Sequence, residues 1–397
     1  MSDLDRGRRV TPHAVDGGRG GGTPGASGGG KPVASGEGNA PRVIDANSMA
    51  ASEWDDLAAR SPLGDAFQSS AWGELKRSTG WTPLRYVFEA DGTPVAVALV
   101  LERSAAPVPG LRGLTRVHYA PRGPVLLQAT PEAAVAALRG LRAAVRSRRS
   151  LILTVDPAWL EGGPLAVALP VAGFTPAPHE VQVSRTAMVV PLMAAEADQN
   201  ALLDASTRTN IGKARRAGVT TDRADLGASS ATAQADLEDF YEMHAATGRR
   251  EDFLVRDRDY ELRMWRDLGR AGLASLWFAS LEGRRRSGML LLHCGRNVVL
   301  FAAGSPDDAD LRKNRANHLL HWSAMRWAVE AGFSGYDLGG VDTHAFPGLP
   351  EDEGHPLWNL YEFKRRLGGV GEVRVRAHEA ASNRLTGLAW HIARRVR

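Results

Sequence analysis

Apolar residues recur along this chain with two different periods, and the order in which the periods alternate is repeated. In "LRYVFEADGTPVAVALVLE" apolar runs flank Asp91-Gly92, a turn pair that predicts a β-hairpin. "TRVHYAPRGPVLL" adds a further strand, and "PEAAVAALRGLRAAVRSRR" switches to the three-and-four spacing of an amphipathic helix. "LILTVDP" then reads as a buried strand ending at Asp156. The same succession returns later. "LASLWFASLEG" and "RSGMLLLHCG" form a second hairpin, "NVVLFAAGS" a strand, "NRANHLLHWSAMRWAVEAG" a helix, and "GYDLGGVD" a strand carrying Asp337.

Hairpin, strand, helix, strand is the core order of the acyl-CoA N-acetyltransferase (GNAT) fold, so the pattern predicts an α+β chain of two tandem GNAT-like modules, mixed sheets flanked by helices, with a site in or beside the cleft between them. Ahead of the first module, Ser69 or Ser70 of "FQSSAWGELK" can cap a short helix that presents Trp72 and Leu75 on one face. Between the modules, "NALLDASTRTNIGKARRAGV" is a basic helical pattern. "ATAQADLEDFYEMHAATGRR" places Leu237, Phe240, Tyr241 and His244 on one helix face, and "RDYELRMWRDL" spaces Tyr260, Met264 and Leu268 four apart. Core packing accounts for these residues, Tyr260 excepted.

Composition changes the picture at the two ends. Residues 1–41 are dominated by Gly, Ser, Pro and isolated charges and read as a disordered tail, because they offer too little apolar surface to offset the entropy of ordering. The chain as a whole is nevertheless ordinary for a soluble protein of two domains, at 43% hydrophobic and 24% charged residues. A single cysteine, Cys294, excludes an internal disulfide, and no stretch reaches the roughly 18–20 apolar residues of a membrane span, so a cytoplasmic location is expected. The formal charge is only +4, yet nine Lys/Arg face two Glu from Lys364 to Arg397. That asymmetry points to a polyanion, a nucleic acid or an anionic membrane surface. The Gly-x-Ser-x-Gly string at Gly25–Gly29 lies in the Gly-rich tail with no strand and helix around it to form a nucleophile elbow, and no metal-spaced His/Cys cluster occurs, so neither a metal nor another cofactor is expected.

Five motifs, "FQSSAWGELK", "YAPRGPVL", "TRTNIGKARRAGV", "YDLGG" and "LYEFKRRLGG", stand in an order and at separations that resemble the Fem family (FemA, FemB, FemX) of aminoacyl-tRNA-dependent peptidyltransferases of peptidoglycan cross-bridge synthesis. The resemblance covers about residues 43–375. It implies two GNAT-like domains with the C-terminal segment returning to the first: a tail at 1–41, domain 1 at 42–190 completed by 372–397, and domain 2 at 191–371. The 191–250 region is too short for the helical coiled-coil arm of some members, so the chain resembles the armless, FemX-like ones.

By this resemblance the reaction is attack of a side-chain amine of a muropeptide precursor, lipid-linked or UDP-linked, on the ester of an aminoacyl-tRNA, at the inner face of the membrane and without DNA. The family's Phe-Lys motif falls on Phe363 and Lys364. Lys364 would stabilise the oxyanion or a nearby phosphate, Phe363 would stack on a terminal base, and Arg365 and Arg366 would supply charge to the tRNA. Lys76, Arg256 and Tyr260 match the residues implied in gripping the precursor's diphosphate. Asp156 matches an acidic residue implied near the acceptor amine, where it would orient the ammonium or relay its proton.

One departure is visible. Where members of the family carry tyrosines in the third strand of domain 2, this chain has "VVLFAAGS", with only Phe301 aromatic. A small-molecule amine therefore stands beside the muropeptide as an acceptor. A CoA-dependent N-acyltransferase is a further reading of the fold, opposed by Arg315 and Asn317 at the glycine positions of a pyrophosphate loop. A non-catalytic binder is another, in which "RLTGLAWHIARRVR" either lies as a basic amphipathic helix on an anionic bilayer or packs on domain 1 through Leu385, Leu388 and Trp390.

Overall fold

A computed structural model describes residues 42–104, 116–228, 230–307 and 314–382. The expected tail at 1–41 and the basic segment from 383 onward lie outside the described residues.

Each repeat builds one sheet, and the two sheets share one strand order. The first runs Arg42–Asp45, Thr82–Ala90, Thr93–Ser104, Arg116–Ala120, Ser150–Val155, His378–Ala381 and Thr175–Pro176, with Val125–Leu126 pairing beside the third strand. The second runs Thr220–Ala224, Ala274–Leu281, Arg284–Cys294, Asn297–Gly304, Gly335–Gly340, Thr186–Pro191 and Val370–Val373. Neighbours are antiparallel except the fourth and fifth strands of each sheet. A parallel pair needs a crossover, and two long helices supply it, the amphipathic Pro131–Arg146 in the first module and Ala316–Glu330 in the second. Thr130 caps the first of these with its side chain on the Ala133 N–H at 3.2 Å, followed by Pro131 in the first turn.

The sixth strand of each sheet comes from beyond its own module. His378–Ala381 returns from the C-terminal side to pair with Ser150–Val155, while Thr186–Pro191 precedes the second module and pairs with both Gly335–Gly340 and Val370–Val373. The expected boundary at 190 assigns Thr186–Val190 to domain 1, which residues 372–397 are expected to complete, but this strand and residues 372–373 hydrogen-bond within the second sheet. The reason is physical: alternation within "TAMVVP" fixes a strand but carries no information about which distant edge it completes.

Three apolar clusters hold this arrangement. One lies between the first sheet and the Pro131–Arg146 helix, and includes Phe88, Leu138, Leu141 and Trp159. Another lies between the second sheet and Ala316–Glu330, with Leu291, Leu320, Met325 and Tyr336. The third is shared: Trp54, Trp72, Val97 and Leu99 of the first module pack with Phe240, Trp265, Phe278 and Leu290 of the second. The two modules thus bury their facing surfaces in one core. Residues 191–250 form the helices Glu196–Leu202 and Ala205–Arg216, the strand Thr220–Ala224 and most of the helix Ala231–Glu251, with no coiled-coil arm among the described residues. No described helix is long and apolar enough to cross a membrane.

Candidate active site

In the second sheet the parallel fourth and fifth strands pair only from Asn297↔Gly335 to Val299↔Asp337. Beyond Asp337 the two strands part, and the gap receives Lys364. Its Nζ donates to the Gly340 carbonyl at 2.8 Å, and only 6% of the residue is exposed. Gly339 makes the room: its φ of +78° suits glycine, and a Cβ built there would lie 3.3 Å from the Leu300 carbonyl oxygen and 3.6 Å from Nζ. Burial disfavours the ammonium and brings its pKa down to about 8, while the Asp337 carboxylate pulls the other way.

Lys364 sits in the last turn of a helix, Trp358–Arg366, where the sequence reads as an irregular stretch leading to a Gly-Gly turn. The neighbouring position, Phe363, meets the rings of His318 and His321 edge-on at 5.3 and 5.7 Å. It also lines a surface groove of about 590 Å³ together with Asn210, His318, Trp358 and Arg366. Arg365 and Arg366 are exposed, and both hold Glu362, at 2.5 and 2.9 Å. Part of the positive charge expected there is thereby neutralised within the helix that carries it.

Lys76, Arg256 and Tyr260, far apart in sequence, do converge. Ser69 caps the Ser70–Arg77 helix on the Trp72 N–H at 3.1 Å, which sets Trp72 inward and brings Lys76 over its ring at 4.4 Å. Lys76 Nζ donates to the Tyr260 hydroxyl at 2.8 Å, and the Arg256 guanidinium lies 5.9 Å from the Tyr260 ring centre. Burial, followed by repulsion from Arg256, brings the Lys76 pKa down to about 8. Two cations and a phenol on one patch offer the charge and hydrogen-bond donors that a multiply charged anion requires.

Asp156 lies just past the fifth strand of the first sheet and is 3% exposed. It accepts from the Tyr119 hydroxyl at 2.8 Å, the Arg122 N–H at 2.6 Å and Gln182 Nε2 at 2.7 Å. Burial raises its pKa, and Arg122 opposes the rise. Asp156 and Lys364 belong to different sheets. Between them runs a series of charges that sequence reasoning did not single out: Arg122 acts on both Asp156 and Asp65, and Asp65 in turn feels Arg374 and Asp337. Asp337 is ion-paired to Arg374. The signal was present, because Tyr119 and Arg122 lie in "YAPRGP" and Asp337 in "YDLGG", and because Asp156 directly follows, and Asp337 lies within, the equivalent fifth strands of the two sheets.

Among the described residues no cluster of three or more His, Cys, Asp or Glu could hold a metal ion. Phe301 packs edge-on against Phe67 at 6.2 Å in the shared core. It is an apolar filler there.

The FemAB family profile matches residues 49–163, and that of an acetyltransferase (GNAT) domain matches residues 205–346. Among curated proteins, the lipid II:glycine glycyltransferase of Staphylococcus aureus (strain MRSA252) is 24% identical over 80% of this chain and 88% of its own length. Other Staphylococcus aureus strains, USA300 among them, carry a relative of the same name at the same identity. Among solved structures, that of FemX superposes with a TM-score of 0.73 at 20% identity, covering 88% of this chain and 99% of FemX.

Proposed function

Because the chain belongs to the FemAB family, we propose that it is an aminoacyltransferase that moves an amino acid from an aminoacyl-tRNA onto a side-chain amine of a peptidoglycan precursor, as a step in building the interpeptide bridge. The precursor is lipid-linked, as the name of the Staphylococcus aureus relatives says of theirs, and the reaction takes place at the cytoplasmic face of the membrane.

Lys364 carries the reading: one buried ammonium, fixed by a 2.8 Å hydrogen bond at the parting of two parallel strands. The neutral amine nitrogen of the acceptor attacks the ester carbonyl carbon, and the carbonyl oxygen takes up negative charge. Lys364 stabilises that oxyanion from a site shielded from water, where a preorganised charge counts most. Collapse breaks the bond to the ribose oxygen, which leaves with the proton surrendered by the attacking amine, and an amide remains. Lys76, Arg256 and Tyr260 grip the precursor's diphosphate, holding the amine near the ester so that attack is effectively unimolecular within the bound complex. Asp156, satisfied by Tyr119, Arg122 and Gln182, supplies a buried negative charge toward the acceptor's ammonium before that group loses its proton. Phe363 and the groove beside it receive the single-stranded tRNA end.

The test is incubation with a set of radiolabelled aminoacyl-tRNAs and with lipid-linked and UDP-linked precursors, read out by product mass. A precursor heavier by one or more amino acids is expected. Consumption of acetyl-CoA instead, or transfer to a free small amine only, would overturn the reading.

A further inference from the structure

The "YDLGG" strand carries a residue for which the reaction described so far has no use. Asp337 is 2% exposed, and it is the last residue of its strand to pair with Asn297–Gly304 before the two separate. One of its oxygens accepts the Gly339 N–H at 2.7 Å, closing a tight turn over Leu338 in which Gly339 takes its positive φ. That turn aims the Gly340 carbonyl at Lys364 Nζ. Its other oxygen binds the guanidinium of Arg374.

Arg374 stands where the chain leaves the second sheet at Val373 and heads for the first at His378. Its backbone is pinned on both sides: its N–H donates to the Arg185 carbonyl at 3.0 Å, the Arg185 guanidinium donates to its carbonyl at 3.0 and 3.1 Å, and it forms a β-bridge with Leu160. A buried ion pair is costly to assemble and gives little net stability by itself.

We propose that Asp337 and Arg374 are positioning residues for the transfer reaction, a buried pair that holds the Lys364 ammonium at the parted strands and ties it to the first sheet. The inference rests on the role given to Lys364 above. Among the described residues, the charged and titratable groups around the ammonium are few. Asp337 faces it from its own strand, with Arg374 behind. His321 faces it from the Ala316–Glu330 helix, neutral because burial pushes its pKa down to about 3. Glu372 and Asp65 act on the Asp337–Arg374 pair. Asp337 is therefore the carboxylate that favours a charged Lys364, and Arg374 tempers it.

This gives the two members of the pair opposite signatures in the pH profile of kcat. Transfer needs the ammonium form, so the rate falls on the alkaline side as Lys364 loses its proton. Asp337→Asn keeps the turn-forming oxygen, removes the negative charge and leaves Arg374 unpaired, so the alkaline limb should move to lower pH by about one unit. Arg374→Gln leaves Asp337 unbalanced, and the limb should move to higher pH. Arg374→Lys should restore the original position. In all three, kcat should change more than KM for either substrate. Lys76 has its charge environment set by Arg256, so a limb belonging to it would move in neither variant.

Losses of rate without displacement of the limb, or displacement in the same direction in both charge-removing variants, would overturn the inference. If Asp337→Asn does not fold, Arg374→Gln and Arg374→Lys decide alone: no upward shift in the first, or no restoration in the second, is then the adverse result. A wild-type rate in Lys364→Met would remove the functional reading itself. An inactive Lys364→Met alongside unmoved limbs would remove only the pair.

Discussion

Lys364 holds a charge that burial opposes, and the opposition has a measurable cost. Its pKa of about 8 in the folded chain lies below the roughly 10.4 of an unfolded lysine, so the unfolded state binds the proton more tightly. The resulting destabilisation is fully present below about pH 8 and is lost as pH rises past about 10.4. Lys364→Met should therefore raise stability at pH 7 by about 2 kcal/mol, allowing for the hydrogen bond lost at Gly340, and the gain should vanish near pH 11. Urea midpoints at the two pH values check this; a destabilised variant at pH 7 would mean that the lysine serves the fold. At this scale the resemblance named Lys364, Lys76, Arg256 and Tyr260, and the structure brings the last three together. Residues whose use lies in supporting another side chain were not legible. Gln182 and Arg374 belong to no local pattern, and their partners Asp156 and Asp337 lie 26 and 37 positions away.

The helix Trp358–Arg366 decides how the basic motif meets a polyanion. Glu362 holds both Arg365 and Arg366, so the helix presents less charge than "FKRR" suggests. Neutralising both arginines should flatten the salt dependence of tRNA binding by at most about one to two counterions, and Glu362→Gln should steepen it. Filter binding across a salt series measures both, and an unaltered slope in either variant would place the tRNA elsewhere. A second element-scale test concerns Ser69. Ser69→Ala removes the cap that orients the Ser70–Arg77 helix, costs about 1 kcal/mol, and should raise KM for the precursor more than it lowers kcat, because Lys76 rides on that helix. The two crossover helices were readable because runs of sixteen and fifteen residues without an internal Pro are too long for a strand. Trp358–Arg366 was not, having nine residues, no side-chain cap and an irregular approach.

Across the whole molecule, the repeat of hairpin, strand, helix and strand was legible, and the way its two copies join was not. Thr186–Pro191 and His378–Ala381 exchange places between the modules because closure of a sheet is a long-range event, and the core of Trp54, Trp72, Phe240, Trp265 and Phe278 is assembled from both sides. A shared core predicts one cooperative unit. Phe240→Ala should cost about 3–5 kcal/mol and lower amide protection in both sheets together by hydrogen exchange, whereas loss confined to the second sheet would mean that the modules are independent. The joined sheets also bring the Lys76 and Lys364 clusters into one body. The most direct measurement is single-turnover transfer from aminoacyl-tRNA to the lipid-linked precursor, comparing the wild-type chain with Lys364→Met under conditions where both are folded and bind tRNA. The account predicts a rate lower by about a hundredfold or more at unchanged tRNA affinity; an equal rate would contradict it.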